Sequence, residues 1–145
     1  MGVPVEEMLE TEAYALAPTT APLVEVFHDL EESAMDAIGL TDASGALVAQ
    51  LSVADVIRFA DQIFDNDCGT VSFDERESVQ QLFDRLGQRL HDPVCVRRGE
   101  TFGDCIAKMI AASTHRVWMV DDKDGLVGVI RQQDVLNAIA NYLGL

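Results

Sequence analysis

Two aspartates, Asp55 and Asp134, stand 79 positions apart, each in the first turn of an expected helix and three residues behind the residue that opens it, Ser52 or Arg131. The helix dipole keeps a carboxylate ionised there, and that alone stabilises a helix by roughly 0.3–1 kcal/mol with no ligand involved. The cations are few and clustered: Arg97 and Arg98 follow an expected strand, His115 and Arg116 precede one, and Arg131 opens a helix. Such groups hold an anion through charge-assisted hydrogen bonds; a solvated surface is the ordinary alternative. The formal net charge is −15, which repels nucleic acid phosphates and anionic lipid alike. Any anionic ligand must therefore be small and held locally, and neither nucleic acid nor a membrane is an expected partner.

Other chemistry finds little support. His28, His91 and His115 are distant in sequence, and neither a nucleophile–base arrangement nor a phosphate-cradling glycine loop is legible. No catalytic residue, metal site or enzymatic activity is expected. The string DNDCG at 65–69 resembles a calcium loop, but Gly69 comes one place early and Arg76 occupies the slot of the bidentate glutamate. Cys68, Cys95 and Cys105 are odd in number and irregularly spaced, Cys95 in a strand pattern and Cys105 on the apolar side of a helix, which favours buried thiols over disulfides. The apolar runs are too short to span a bilayer and the acidic start (Glu6, Glu7, Glu10) is unlike a signal peptide, so a cytoplasmic protein is expected.

The elements that position these residues read as one unit written twice. With 145 residues, 48% hydrophobic and 24% charged, the chain suits a globular fold with a real core. AIGLTDASGALVAQLSVADVI at 37–57 and VWMVDDKDGLVGVIRQQDVL at 117–136 each run strand, acidic Gly-bearing turn, strand and helix, with one extra residue expected in the first turn near Ala46. Upstream, residues 1–12 read as a loose or short helical lead and 13–17 as a strand stopped by Pro18. Thr19 and Thr20 offer caps to a helix with Pro22 in its first turn and Leu23, Val26, Phe27 and Leu30 on its apolar face, ending near Met35. Ser52 caps a helix expected to bury Val53, Val56, Ile57 and Ala60. A connecting helix is expected over 73–90, then a strand at 94–96 and a helix at 102–112, where Ile106 and Ile110 match Val26 and Leu30, and Ser113 matches Ser33.

The order strand, helix, strand, strand, helix, found twice over residues 13–143, resembles a tandem pair of CBS domains, the Bateman module, and in particular the second CBS pair of the gamma subunit of AMP-activated protein kinase. PTTAPLVEVF, LSVADVI and above all THRVWMVDDKDGLVGVIRQQDVL carry the resemblance. It implies an α/β (α+β) fold in which repeat 1 covers 13–64, a connecting segment with a helix 65–91 and repeat 2 92–143, packed about a pseudo-twofold axis.

The resemblance also implies a regulatory, non-enzymatic module binding AMP, ADP or ATP in a cleft between the repeats. In that family the helical aspartate accepts from both ribose hydroxyls, a role that falls on Asp134, whose two acceptor oxygens match a vicinal diol. His115 and Arg116 would meet the phosphates, Thr20 would reach in from the other repeat, main-chain groups near Val94 and Val117 would read the adenine edge, and Ile130 would cover its face. Two positions depart from the family. Arg131 stands where a small Ser or Thr is common, so it either clamps a phosphate or fills the ribose pocket. In the first copy Met35 and Asp36 replace His115 and Arg116, which leaves Ser52 and Asp55 as a possible second site, empty or specialised for an uncharged adenosyl group. The implied partners are the nucleotide, a second copy of the chain meeting an apolar helical face, and a kinase or other regulated enzyme. A ligand-free scaffold is the alternative.

Overall fold

The computed structural model describes residues 2–5, 15–33, 35–65, 70–71 and 76–145. By its contacts the chain divides into two units, Tyr14–Asp92 and, together, Met1–Ala13 with Pro93–Leu145.

In the first unit, strand β1 (Leu16–Pro18) lies parallel to β2 (Ala37–Thr41), which pairs antiparallel with β3 (Leu47–Ser52). Helix α1 (Leu23–Glu32) sits between β1 and β2 in sequence, and α2 (Val53–Ile63) follows β3 directly. A short ribbon of β4 (Phe64–Asp65) and β5 (Thr70–Val71) leads to α3 (Val79–Arg85). The second unit repeats the order: β6 (Cys95–Arg97), α4 (Phe102–Ala112), β7 (Arg116–Val120), β8 (Leu126–Arg131) and α5 (Gln132–Tyr142), with β6 parallel and β8 antiparallel to the central β7. The fold is thus mixed α and β, with a three-stranded sheet in each unit, as the sequence predicts.

Each unit has its own core. Leu23, Val26 and Leu30 of α1 pack with Ile38, Leu40, Ala49 and Leu51 of the sheet and with Val79, Leu82 and Phe83 of α3. Phe102 and Cys105 of α4 pack with Val96, Val117, Met119 and Ile130. Val5 joins this second core, fully buried. Its N–H donates to the Glu100 carbonyl at 2.9 Å, and Phe102 N–H donates to the Val3 carbonyl at 2.8 Å. Residues 3–5 are therefore docked on the second unit rather than forming a loose lead; residues 6–12 lie outside the described residues. The first unit has the same strap, supplied by 77–79: Leu23 N–H donates to the Glu77 carbonyl at 2.8 Å, Ser78 bridges Pro22 as Pro4 bridges Thr101, and Val79 is buried as Val5 is.

The repeat is more regular than its letters suggest. Thr41 faces Leu47 as Val120 faces Leu126, so the two turns are equal in length and the extra residue expected near Ala46 does not exist. Gly45 and Asp124 occupy the same left-handed corner, at φ 87° and 62°. An aspartate adopts that conformation at modest cost, and it obscured the alignment. The Val53 N–H donates to the Asp36 carbonyl as Gln132 N–H does to that of His115, so Asp36 matches His115, and Ala37, not Asp36, matches Arg116.

Other expectations shift. Pro18 is the last residue of β1 rather than the residue after it, and the N-cap of α1 is Pro22, so neither Thr19 nor Thr20 caps the helix, which ends at Glu32. In α4 the inward positions are Phe102 and Cys105, while Ile110 is 72% exposed and cannot play the part of Leu30. In α2, Val53 and Ile57 are exposed and the helix instead buries Asp55. Ala60 lies among the residues whose side chains are not described. Helix α3 is shorter than the expected 73–90. A reciprocal Ser78–Gln81 capping box starts it, and Gly87, at φ 66°, follows its end.

Candidate functional site

Most residues of the expected site converge at one end of the β7–β8 hairpin, where α5 begins. Arg116 and Arg131 face each other as the terminal cross-strand pair, with Val117 opposite Ile130 one step inward. Gln132 N–H donates to the His115 carbonyl at 3.2 Å, fixing the start of α5 beside the entry to β7. The Thr114 hydroxyl donates to the Arg116 carbonyl at 3.1 Å, shaping that entry. His115 is exposed, Arg116 is 9% exposed, and the Arg131 side chain is 41% exposed.

Asp134 is the centre of this arrangement. It is 8% exposed, and its Oδ2 accepts from Arg131 N–H at 2.8 Å and Arg131 Nε at 3.4 Å. The backbone bond satisfies one orphan donor of the helix N-terminus, so Asp134 caps its own helix through a single oxygen. No hydrogen bond among the described residues reaches Oδ1.

Val117 and Ile130 are fully buried members of the core, and β7 is hydrogen-bonded on both sides. The Val94 carbonyl accepts from Trp118 N–H at 2.8 Å, so this acceptor already serves the sheet. Thr20 belongs to the other unit, where it is exposed in the turn after β1.

Ser52 and Asp55 form the equivalent frame in the first unit. Asp55 N–H donates to Ser52 Oγ at 3.1 Å and Ser52 N–H to Asp55 Oδ2 at 2.9 Å. Here Oδ1 is engaged as well, by Arg58 Nη2 at 2.7 Å and by His91 Nε2 at 3.1 Å. Sequence reasoning passed over both partners. Arg58 was within reach, three residues on along the helix. His91 arrives from a distant segment and leaves no local signal.

Of the two thiols among the described residues, Cys105 is buried as expected and Cys95 is half-buried. Cys105 is fully buried, and removal from water pushes its thiol up to about 11 despite the nearby Lys108. Burial likewise raises Cys95. Residues 66–69, with Cys68 and most of the DNDCG string, lie outside the described residues. Among those described, no group of three His, Cys, Asp or Glu is placed to hold a metal ion, and no helix is long and apolar enough to cross a membrane.

Residues 89–141 match the CBS domain family. The fold is similar to that of a CBS domain protein from Pyrobaculum aerophilum complexed with AMP, at 20% identity and a TM-score of 0.69 over 96% of this chain and 99% of that one. It is similar also to CBSX2 in complex with AMP, at 15% identity and a TM-score of 0.71 over 98% and 99% of the two chains. A third likeness is to the cytosolic domain of the Mg2+ channel MgtE in complex with ATP, at 22% identity and a TM-score of 0.64 over 88% of this chain; the match spans 46% of that chain. The chain therefore shares the fold of these tandem CBS-pair proteins, and the part that matches the CBS domain family is its second repeat.

Proposed function

We propose that the chain is a regulatory module, not an enzyme, that binds an adenine nucleotide, AMP, ADP or ATP, at the α5 end of its second repeat and signals its occupancy to a partner protein. The observation that carries this reading is Asp134: a nearly buried carboxylate that caps its helix through Oδ2 alone. A carboxylate with one oxygen committed to its helix keeps a second acceptor for a ligand, and a ribose diol supplies two donors. His115, Arg116 and Arg131, gathered at the same strand and helix ends, are the cations for the phosphates in a chain of net charge −15. That AMP- and ATP-bound proteins share this fold supports the ligand class.

Regulation then requires that the nucleotide favour one of two states of the chain, since a ligand with equal affinity for both shifts nothing. Differential melting is the direct check. Millimolar nucleotide is expected to raise the melting temperature in proportion to occupancy, and an unmoved transition with all three adenylates would discard the reading.

A second reading, a ligand-free scaffold acting through its helical faces, is favoured by one observation, the Arg131 Nε lying 3.4 Å from Asp134 Oδ2. Arg131→Ala separates the two. A phosphate clamp loses affinity for AMP on removal, roughly tenfold for one charge-assisted bond, while a plug gains it.

We also read the module as a homodimer. Ile110 on α4, Leu136 and Ile139 on α5 and Leu143 at its C-cap are exposed apolar side chains of the second unit, the kind of surface a second copy would cover. A kinase or another regulated enzyme is the class of partner that suits such a module, and the cytoplasm the compartment.

A further inference from the structure

The aspartates that open α2 and α5 share a backbone frame and differ in what meets the second oxygen. Oδ2 of Asp55 accepts from Ser52 N–H at 2.9 Å, as Oδ2 of Asp134 does from Arg131 N–H at 2.8 Å. At Asp55 the remaining oxygen is closed: Arg58 Nη2 donates to Oδ1 at 2.7 Å, and His91 Nε2 stands against both, 2.7 Å from Arg58 Nη2 and 3.1 Å from Oδ1, where the one ring nitrogen either accepts from the guanidinium or donates to the carboxylate. The carboxylate is 6% exposed, so they converge on an acceptor with almost no access to water. His91 is fixed in turn by its carbonyl, which accepts from Gln50 N–H of the edge strand β3 at 3.1 Å. In α5 the position matching Arg58 is Asn137, whose Oδ1 accepts from Gln133 Nε2 at 2.9 Å, so among the described residues the second copy has no such latch.

We infer that Arg58 and His91 are an internal counter-ligand that closes Asp55 to a ribose diol and so makes the two repeats unequal, one open and one held shut. This rests on the reading of Asp134 as a diol acceptor. A neutral diol displacing Arg58 would exchange a charge-assisted bond for weaker neutral ones, and the guanidinium, three residues away on the same helix, is always at hand. The first copy therefore stays closed at ligand concentrations that fill the second. Asp36, at the place of His115, adds a reason for any ligand admitted here to be an uncharged adenosyl group rather than a phosphate.

Native mass spectrometry of the full chain with AMP and with adenosine reads this as stoichiometry. The unaltered chain is expected to carry one ligand. The Arg58→Gln/His91→Gln variant is expected to acquire a second, with doubly liganded chain rising on the order of tenfold in adenosine, and adding Asp55→Asn is expected to abolish the gain. A doubly liganded unaltered chain, or a folded double variant that stays at one ligand, overturns the inference. If the double variant folds poorly, Arg58→Gln alone carries the same expectation at a side chain 53% exposed, and its failure to gain a ligand is equally decisive. Failures of the two readings separate. If the unaltered chain binds nothing while the double variant binds one ligand that Asp55→Asn removes, the latch stands and the site at Asp134 falls. If Asp134→Asn abolishes binding by the unaltered chain and the double variant gains nothing, the reverse holds.

Discussion

The carboxylates of this chain divide by what they hold. Asp42 and Asp121 tie the two hairpin turns. The Ser44 hydroxyl and then the Ala46 N–H hold Asp42 below its ordinary value of 3.8, and the Gly125 and Lys123 N–H groups do the same for Asp121. Each is more acidic folded than unfolded, so its contribution is complete above the unfolded value and is lost as pH falls through the folded one. The melting-temperature gap between the unaltered chain and Asp42→Asn or Asp121→Asn should be widest near neutral pH and narrow as pH falls below the ordinary carboxylate value, which a pH series of thermal melts will check. Asp134 and Asp55 act differently, as helix caps, and in the proposed reading their second oxygen decides whether a ligand is admitted. Both aspartates and the cations around Asp134 were legible as residue types at a spacing. The engagement of Asp55 by His91 was not, because a contact across 36 residues depends on how the chain returns along β3.

Among the elements, the sheets and their flanking helices followed from alternation, apolar faces and the 79-residue repeat. The departures came where a backbone rule was hidden by the residue that obeyed it. An aspartate at φ 62° stands where the first turn has its glycine, so the two turns of equal length look unequal in sequence. The straps escaped for a different reason: residues 3–5 and 77–79 are too short to show a period, yet each places one valine in a core. Val5→Ala should destabilise the second unit by about 1–3 kcal/mol through the lost burial and the cavity left behind. Denaturant unfolding will show it as a lower midpoint with little change in slope, and a midpoint unmoved within error would mean that residues 3–5 are not a working part of that core.

For the molecule as a whole, the repeat makes two similar units from one sequence pattern, and their chemistry then diverges. His115, Arg116 and Arg131 are replaced around Asp55 by Asp36, Ala37 and Ser52, and Arg58 and His91 stand against its carboxylate instead. The exposed apolar positions on α4 and α5 carry a separate expectation. Light scattering should give twice the chain mass at high concentration, and Leu136→Glu with Ile139→Glu should return the monomer; a monomer before any substitution would remove the homodimer from the account. Neither assembly nor partner could be read from the sequence beyond an apolar face, because a face does not state what covers it.

The central claim is that Asp134 grips the ribose of an adenine nucleotide, and isothermal titration calorimetry of AMP into the full chain tests it most directly. The account predicts saturable binding that weakens about tenfold or more in Asp134→Asn, a substitution that keeps a capping acceptor while removing the charge. Absence of heat with AMP, ADP and ATP at millimolar concentration, or binding that is indifferent to Asp134→Asn, would contradict it.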